Sequence, residues 1–415
     1  MSDHASVTTG QESFWRQLRG LLWQPPRAHG EQPLQRTVGP LELFYDLVVV
    51  ALIAQASHQF AAQLSWRELG QYCAVFALVW IAWINGSFHH ELHGHEDARG
   101  RSIFLLQILV LVPLGATIPQ AGGARGAAFA VTAAILFVVL AALWLLASRG
   151  DQPQYRRASQ RFVVGTVFCA VVLGASAFLP SGPRVVAWGL LDIAYIAALG
   201  ALIVTADSVT APQLVITPAL IERFGLLIII VLGEIVTGVV NGLVDRPMDA
   251  LTVAVALVAV VVGFGAWWTY FDFAGHRAAR ATPAATASWT LSHLPLTAAV
   301  ATMGAAMFSL VEHAHAPSTP AATSWVLCGA SAVVVCTTML VAASLAAWRS
   351  ERAFYRLVAR SSVAVSIACL GLAALRPAPL VLGLALVVLF SIPWAIAVLY
   401  RLRHEETPEE QAAST

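Results

Sequence analysis

Acidic and basic side chains stand inside apolar runs at two places in the chain. The stretch ELFYDLVVVAL places Glu42 and Asp46 four positions apart, which stacks them one turn apart on a helix. Glu222 and Arg223 lie near the start of a second run, and Glu234 follows Glu222 by about 18 Å along a helix. Charged groups in a bilayer are costly unless they are paired or solvated, and they commonly mark proton or substrate sites. These residues therefore predict a proton- or substrate-binding site inside a membrane.

The composition is that of a membrane protein. The 415 residues are 58% hydrophobic and 11% charged, whereas soluble domains carry about 25% charged residues. A spanning helix needs about 20 mostly apolar residues. The chain is therefore predicted to be an all-α polytopic membrane protein with twelve spanning segments, at roughly 41–64, 69–88, 102–121, 126–148, 162–180, 185–206, 217–241, 250–273, 287–311, 323–347, 357–375 and 378–400.

The arginine distribution orients these segments. Eighteen of the 24 basic residues lie in the two termini, the even-numbered linkers and their margins, and five lie in the odd-numbered linkers. Because basic residues favour the cytoplasmic side, both termini are predicted to lie there. Residues 1–40 lack a cleavable signal, and 13–23 could form a helix on the inner leaflet. The polar residues 401–415 are predicted to be a disordered cytoplasmic tail.

The sequence resembles itself at an offset of 180 residues. Glu42 then falls on Glu222, and the Phe44 position falls on Phe224. With small gaps, Trp83 falls on Trp267. We therefore predict two six-helix repeats, 41–206 and 217–400, in the same membrane orientation.

Further polar residues share the depth of the two acidic clusters. Asn85 and Asp272 lie near the cytoplasmic ends of segments two and eight, and Gln107 and His293 lie in the inner third of segments three and nine. We therefore predict a polar site between the halves that is open to the cytoplasm. The alternatives are structural roles: helix capping, snorkelling to the headgroups, an ion pair of Glu222 with Arg223, and a helix-to-helix hydrogen bond from His293.

Histidines and aromatic residues offer other chemistry. His89 and His93 have the spacing of a helical metal pair, but they fall at a predicted loop without a specific zinc motif, so they are weak metal candidates and a solvated loop is the alternative. The five cysteines lie in apolar runs and predict buried thiols. The stretch WWTYFDF at 267–273 predicts an aromatic belt, or the lining of a site for an apolar or cationic molecule.

Three motifs resemble the bacterial low-temperature-requirement A family of integral membrane proteins. They are GPLELFYDLVVVALIAQ at 39–55, TPALIERFGLLIIIVLGEIV at 217–236 and LSHLPLTAAV at 291–300, and the resemblance covers roughly 38–400. The family name refers to a growth phenotype in the cold and implies no biochemical activity. Family members often carry an aspartate-rich stretch after segment two, where this chain has the histidine-rich FHHELHGHED.

Two function classes follow from the acids and a third remains open. The first is a proton-coupled secondary transporter of a small solute, with Glu42, Asp46, Glu222 and Glu234 as proton carriers. The second is an intramembrane enzyme that uses the carboxylates on a lipid or isoprenoid-like substrate, and the third is a scaffold. No nucleotide-binding loop or cofactor motif is present, and the net charge of +1 indicates no nucleic-acid partner. The expected partners are the lipid bilayer and a small-molecule or lipid substrate.

Overall fold

The computed structural model describes residues 24–27, 37–95, 97–205, 216–244 and 246–404. The possible interfacial helix at 13–23 and the tail beyond His404 lie outside them. Within the described residues, twelve helices are long and apolar enough to cross a membrane, which confirms the predicted all-α polytopic fold. They are α1 Pro40–Ala62, α2 Trp66–His93, α3 Ala98–Thr117, α4 Gly126–Gly150, α5 Pro153–Ser176, α6 Ser181–Val204, α7 Pro218–Val244, α8 Ala250–Phe273, α9 Pro283–Glu312, α10 Ala321–Ser344, α11 Arg352–Leu375 and α12 Pro379–His404.

Local sequence explains where several helices begin. The Asp97 side chain accepts a hydrogen bond from the backbone N–H of Gly100 and caps α3. Asp249 caps α8 through the backbone N–H of Thr252, and this bond together with His315 lowers the pKa of Asp249 to about 2. The Asp249 cap is therefore ionised at neutral pH. Proline, whose fixed φ suits a first helical position, is the first residue of five helices, α1, α5, α7, α9 and α12.

Helix α2 is longer than the predicted segment at 69–88. It continues to His93, so the prediction of a loop from residue 88 onward is wrong for 88–93. The reason is tertiary packing, because His89 and His93 each meet the Trp144 ring edge-on at centroid distances of 5.4 and 5.6 Å. Hydropathy falls at these histidines, but their burial keeps the last turn helical.

The chain forms two compact units. The first unit comprises Met1–Gln55 and Ala74–Leu220, and the second comprises Ala56–Cys73 and Ile221–Thr415. The end of α1 and the beginning of α2 therefore belong to the second unit, so these bounds are not those of the sequence repeats, which stay a prediction. The most buried helices are α2, most of which lies in the first unit, and α9, which lies in the second.

Backbone contact without intervening side chains joins α7 to α9 in the second unit. A Cβ atom placed on Gly238 would clash with the carbonyl oxygen of Gly304, and one placed on Gly304 would lie 2.6 Å from the carbonyl oxygen of Glu234. Both obstacles are backbone atoms, which cannot rotate away. Small residues are what allow helices to approach this closely in a bilayer, and they fix α9 against the turn of α7 that carries Glu234.

Adding one methyl group at this contact tests the packing. Gly304→Ala is expected to lower the free energy of unfolding by about 1–3 kcal/mol, because α7 and α9 must separate. Gly329→Ala is the matched control, since a Cβ atom at Gly329 on α10 meets nothing within 4 Å. It should stabilise by about 0.5–1 kcal/mol through the lower entropy of the unfolded chain. Denaturant titration in detergent measures both, and equal stabilities of the two variants would contradict the contact.

Candidate functional site

The two acids of α1 are buried in the first unit and each has a partner there. Glu42 is 2% exposed and accepts a hydrogen bond of 2.9 Å from the backbone N–H of Gly39, which caps the helix. Its other oxygen lies 3.5 Å from Nε2 of His90. Asp46 is fully buried, and its Oδ1 accepts a hydrogen bond of 2.7 Å from the indole N–H of Trp83. Both His90 and Trp83 belong to α2.

Asn85 and Gln107 also lie where α2 packs against neighbouring helices of the first unit. Asn85 donates to the carbonyl of Ile81 and accepts from the hydroxyl of Tyr195 on α6 at 2.8 Å. The Gln107 side-chain oxygen lies 3.0 Å from the point where a Cβ atom at Gly86 would stand. The four predicted site residues of the first unit therefore all lie on α2 or contact it.

The histidines at the end of α2 line a small cavity in the same unit. Its volume is about 20 Å³, enough for one water molecule, and His89, His90 and Gln107 are among its walls. Nδ1 of His93 lies 2.9 Å from the carbonyl oxygen of Arg27 and 3.6 Å from the Asp151 carboxylate. Across the described ranges, no three histidine, cysteine or acidic side chains are grouped to hold a metal ion.

Glu234 occupies a comparable setting in the second unit. It is 9% exposed, and its Oε2 lies 3.8 Å from Nε2 of His58, which is on the last part of α1 and is half-exposed. Tyr72 is also nearby, and its hydroxyl donates to the carbonyl of Ala298 on α9. The glycine contact between α7 and α9 begins at this point of α7. An acid and an imidazole therefore meet within the second unit, as Glu42 and His90 do within the first.

His293 has both ring nitrogens occupied. Nδ1 lies 2.7 Å from the carbonyl oxygen of Trp289, and a carbonyl can only accept, so Nδ1 carries the proton. Nε2 of the neutral ring then accepts from the Tyr270 hydroxyl at 3.1 Å. The ring also packs on Phe224 and Trp289 at centroid distances of 4.7 and 4.4 Å. This arrangement joins α7, α8 and α9, as the alternative of a helix-to-helix hydrogen bond predicts.

The remaining predicted residues differ in burial. Arg223 is buried in the first turns of α7, whereas its neighbour Glu222 is exposed. Asp272 is also exposed near the end of α8, where it accepts a hydrogen bond of 2.7 Å from the indole N–H of Trp268. Glu222, Arg223, Glu234, Asp272 and His293 all belong to the second unit.

The sequence analysis missed several groups, of which Asp192 is the most unusual. It lies near the middle of α6 and is 3% exposed, and neither carboxylate oxygen has a hydrogen-bond partner among the described residues. A lone acid in the apolar run at 185–206 was the available signal. His58 and His90 gave no such signal, because the acids that they meet are distant in the sequence.

The described residues thus form a polytopic helical membrane protein with acids buried inside its spanning helices. The sequence model of the bacterial low temperature requirement A protein family (LtrA) matches residues 37–394, and the chain belongs to this family. No curated protein and no solved structure matches the chain.

Two acid-to-leucine substitutions are expected to change stability in opposite directions. Asp192→Leu removes a buried polar group that has no hydrogen-bond partner among the described residues, and it should stabilise the protein by about 1–3 kcal/mol. Asp46→Leu leaves the Trp83 indole N–H without its acceptor and should destabilise it by a similar amount, about 1–3 kcal/mol. Denaturant titration in detergent compares them, with Asp46→Asn as the control that keeps an acceptor oxygen. Destabilisation by Asp192→Leu would mean that this carboxyl has a partner.

Proposed function

We propose that the protein is a proton-coupled secondary transporter of a small solute in the bacterial cytoplasmic membrane, with both termini in the cytoplasm. The observation that carries the proposal is a carboxylate beside an imidazole in each unit. Glu42 lies 3.5 Å from His90, and Glu234 lies 3.8 Å from His58. Each pair combines an acid on a spanning helix with the one side chain that ordinarily titrates near neutral pH.

The chemistry of such a pair fits proton carriage. A carboxylate alone in the bilayer interior bears a costly charge. One proton makes the pair neutral, whether the carboxyl or the imidazole holds it, and loss of that proton leaves one negative charge, which a solute or another proton can compensate. Proton binding is therefore linked to whatever else binds nearby, and that linkage is what coupling requires.

Helix α1 contributes one side chain to each pair. Glu42 lies in its first turn, and His58 lies sixteen residues further on in the sequence. Asp46 and Glu222 are proposed as further proton carriers, and Arg223 as the cation that sets their charge or holds an anionic group.

Proton flux in sealed vesicles tests the proposal. Purified protein is reconstituted with an internal pH dye, and pools of candidate solutes are added. A solute-dependent pH change is expected for the native protein, and Glu234→Gln should abolish it because the amide cannot carry a proton. Glu312→Gln is the control, since Glu312 lies at the end of α9 and pairs with Arg246 at 2.6 Å, remote in sequence from the proposed carriers.

Two results would contradict transport. One is the absence of flux under any gradient or solute pool. The other is native behaviour of both Glu234→Gln and Asp46→Asn in the flux assay. Incubation of the protein with lipid extracts, followed by mass spectrometry, then tests the alternative, an intramembrane enzyme acting on a lipid or isoprenoid-like molecule.

A further inference from the structure

A basic pocket lies between the ends of α8 and α12 in the second unit. Its volume is about 180 Å³, and Arg277 and Arg401 line it together with Asp272, Phe271 and Trp394. Two guanidinium groups therefore face one carboxylate, which leaves an excess of one positive charge. An anion is the ligand that this charge favours.

Neighbouring aromatic side chains hold both arginines in place. Arg277 donates a hydrogen bond to the hydroxyl of Tyr355. The Arg401 guanidinium carbon lies 5.2 Å from the centre of the Phe354 ring, a cation–π contact. A guanidinium has five N–H donors, so a single hydrogen bond to a hydroxyl leaves most of them for a phosphate. Asp272 is itself held by the Trp268 indole, which keeps its carboxylate on the α8 side of the pocket.

Exposed apolar side chains flank the pocket along both helices. On α8, Phe264 is 51% exposed and stacks on Trp267 at a centroid distance of 5.3 Å. Trp268 meets Trp394 of α12 at 5.0 Å, and Val388 lies about two turns earlier on α12 and is 60% exposed. Tryptophans gather at the headgroup level of a bilayer, and aliphatic side chains face its hydrocarbon. The pocket therefore lies at headgroup level, with a surface for acyl chains beside it.

We propose that this pocket binds the phosphate of an anionic phospholipid headgroup. The two arginines take the phosphate, and the exposed side chains of α8 and α12 lie against the acyl chains. Basic pockets between spanning helices are suited to such headgroups. The apolar flank favours a phospholipid over free phosphate, because only the lipid uses it. This site is independent of the proposed proton transport.

Lipid retention measured by native mass spectrometry tests the site. The native protein should retain phosphatidylglycerol in preference to phosphatidylcholine. In the double variant Arg277→Gln/Arg401→Gln, each substitution should lower the affinity for phosphatidylglycerol about fivefold. The charge-matched control is Arg349→Gln/Arg352→Gln, which removes two exposed arginines outside the pocket, one just before α11 and one at its first position. Asp272→Asn should act in the opposite direction and tighten binding, which separates the charge effect from damage to the fold.

Several outcomes would overturn the proposal. Equal retention of the two lipids would show that charge is not recognised, and equal losses in the two double variants would show that recognition is not at this pocket. Displacement of the lipid by inorganic phosphate alone would identify free phosphate as the ligand. If Arg277→Gln disturbs folding, Arg401→Gln alone gives the same test, since Arg401 is exposed.

Discussion

The free energy of a charged side chain in a bilayer is the constraint on which the rest of this structure depends. Each acid on a spanning helix must be paired, hydrogen-bonded or neutral. Glu42 meets this requirement with the Gly39 N–H and His90, Asp46 meets it with the Trp83 indole, and Glu234 meets it with His58. Three of these partners, His90, Trp83 and His58, lie on α1 or α2, so the positions of the buried acids determine where these two helices need further polar side chains.

The proposed proton carriers differ in the kind of partner that each one has. An indole N–H can only donate, so its bond to Asp46 holds one carboxylate oxygen in place and does not itself exchange a proton. An imidazole nitrogen can both donate and accept a proton, so the partners of Glu42 and Glu234 are groups that can take part in proton transfer. His293 has an imidazole too, but a carbonyl and a tyrosine hydroxyl occupy both nitrogens, and its ring joins three helices instead.

Sequence reasoning predicted the spanning helices and the acid, but not the histidine, of each carboxylate–imidazole pair. Length and hydropathy specify twelve spans, because each must cover the bilayer thickness alone. The spacing of Glu42 and Asp46 likewise follows from one helix. The partners of the buried acids could not be found in this way, since Trp83 lies 37 residues from Asp46 and His58 lies far from Glu234 in the sequence. The end of α2 was missed because burial of His89 and His93 against Trp144 outweighs their polarity. Asp192 was available in the sequence but was not singled out.

The central claim is that the two carboxylate–imidazole pairs exchange protons near neutral pH. Infrared difference spectroscopy of the protein in lipid films tests it without a known substrate, because a protonated carboxyl and a carboxylate absorb at separate frequencies. Between about pH 5 and 8, the account predicts a carboxyl band that changes with pH in the native protein. That change should be lost in the double variant Glu42→Gln/Glu234→Gln and kept in Glu312→Gln. A spectrum that is constant over this range, or one that the double substitution leaves unchanged, would contradict the account.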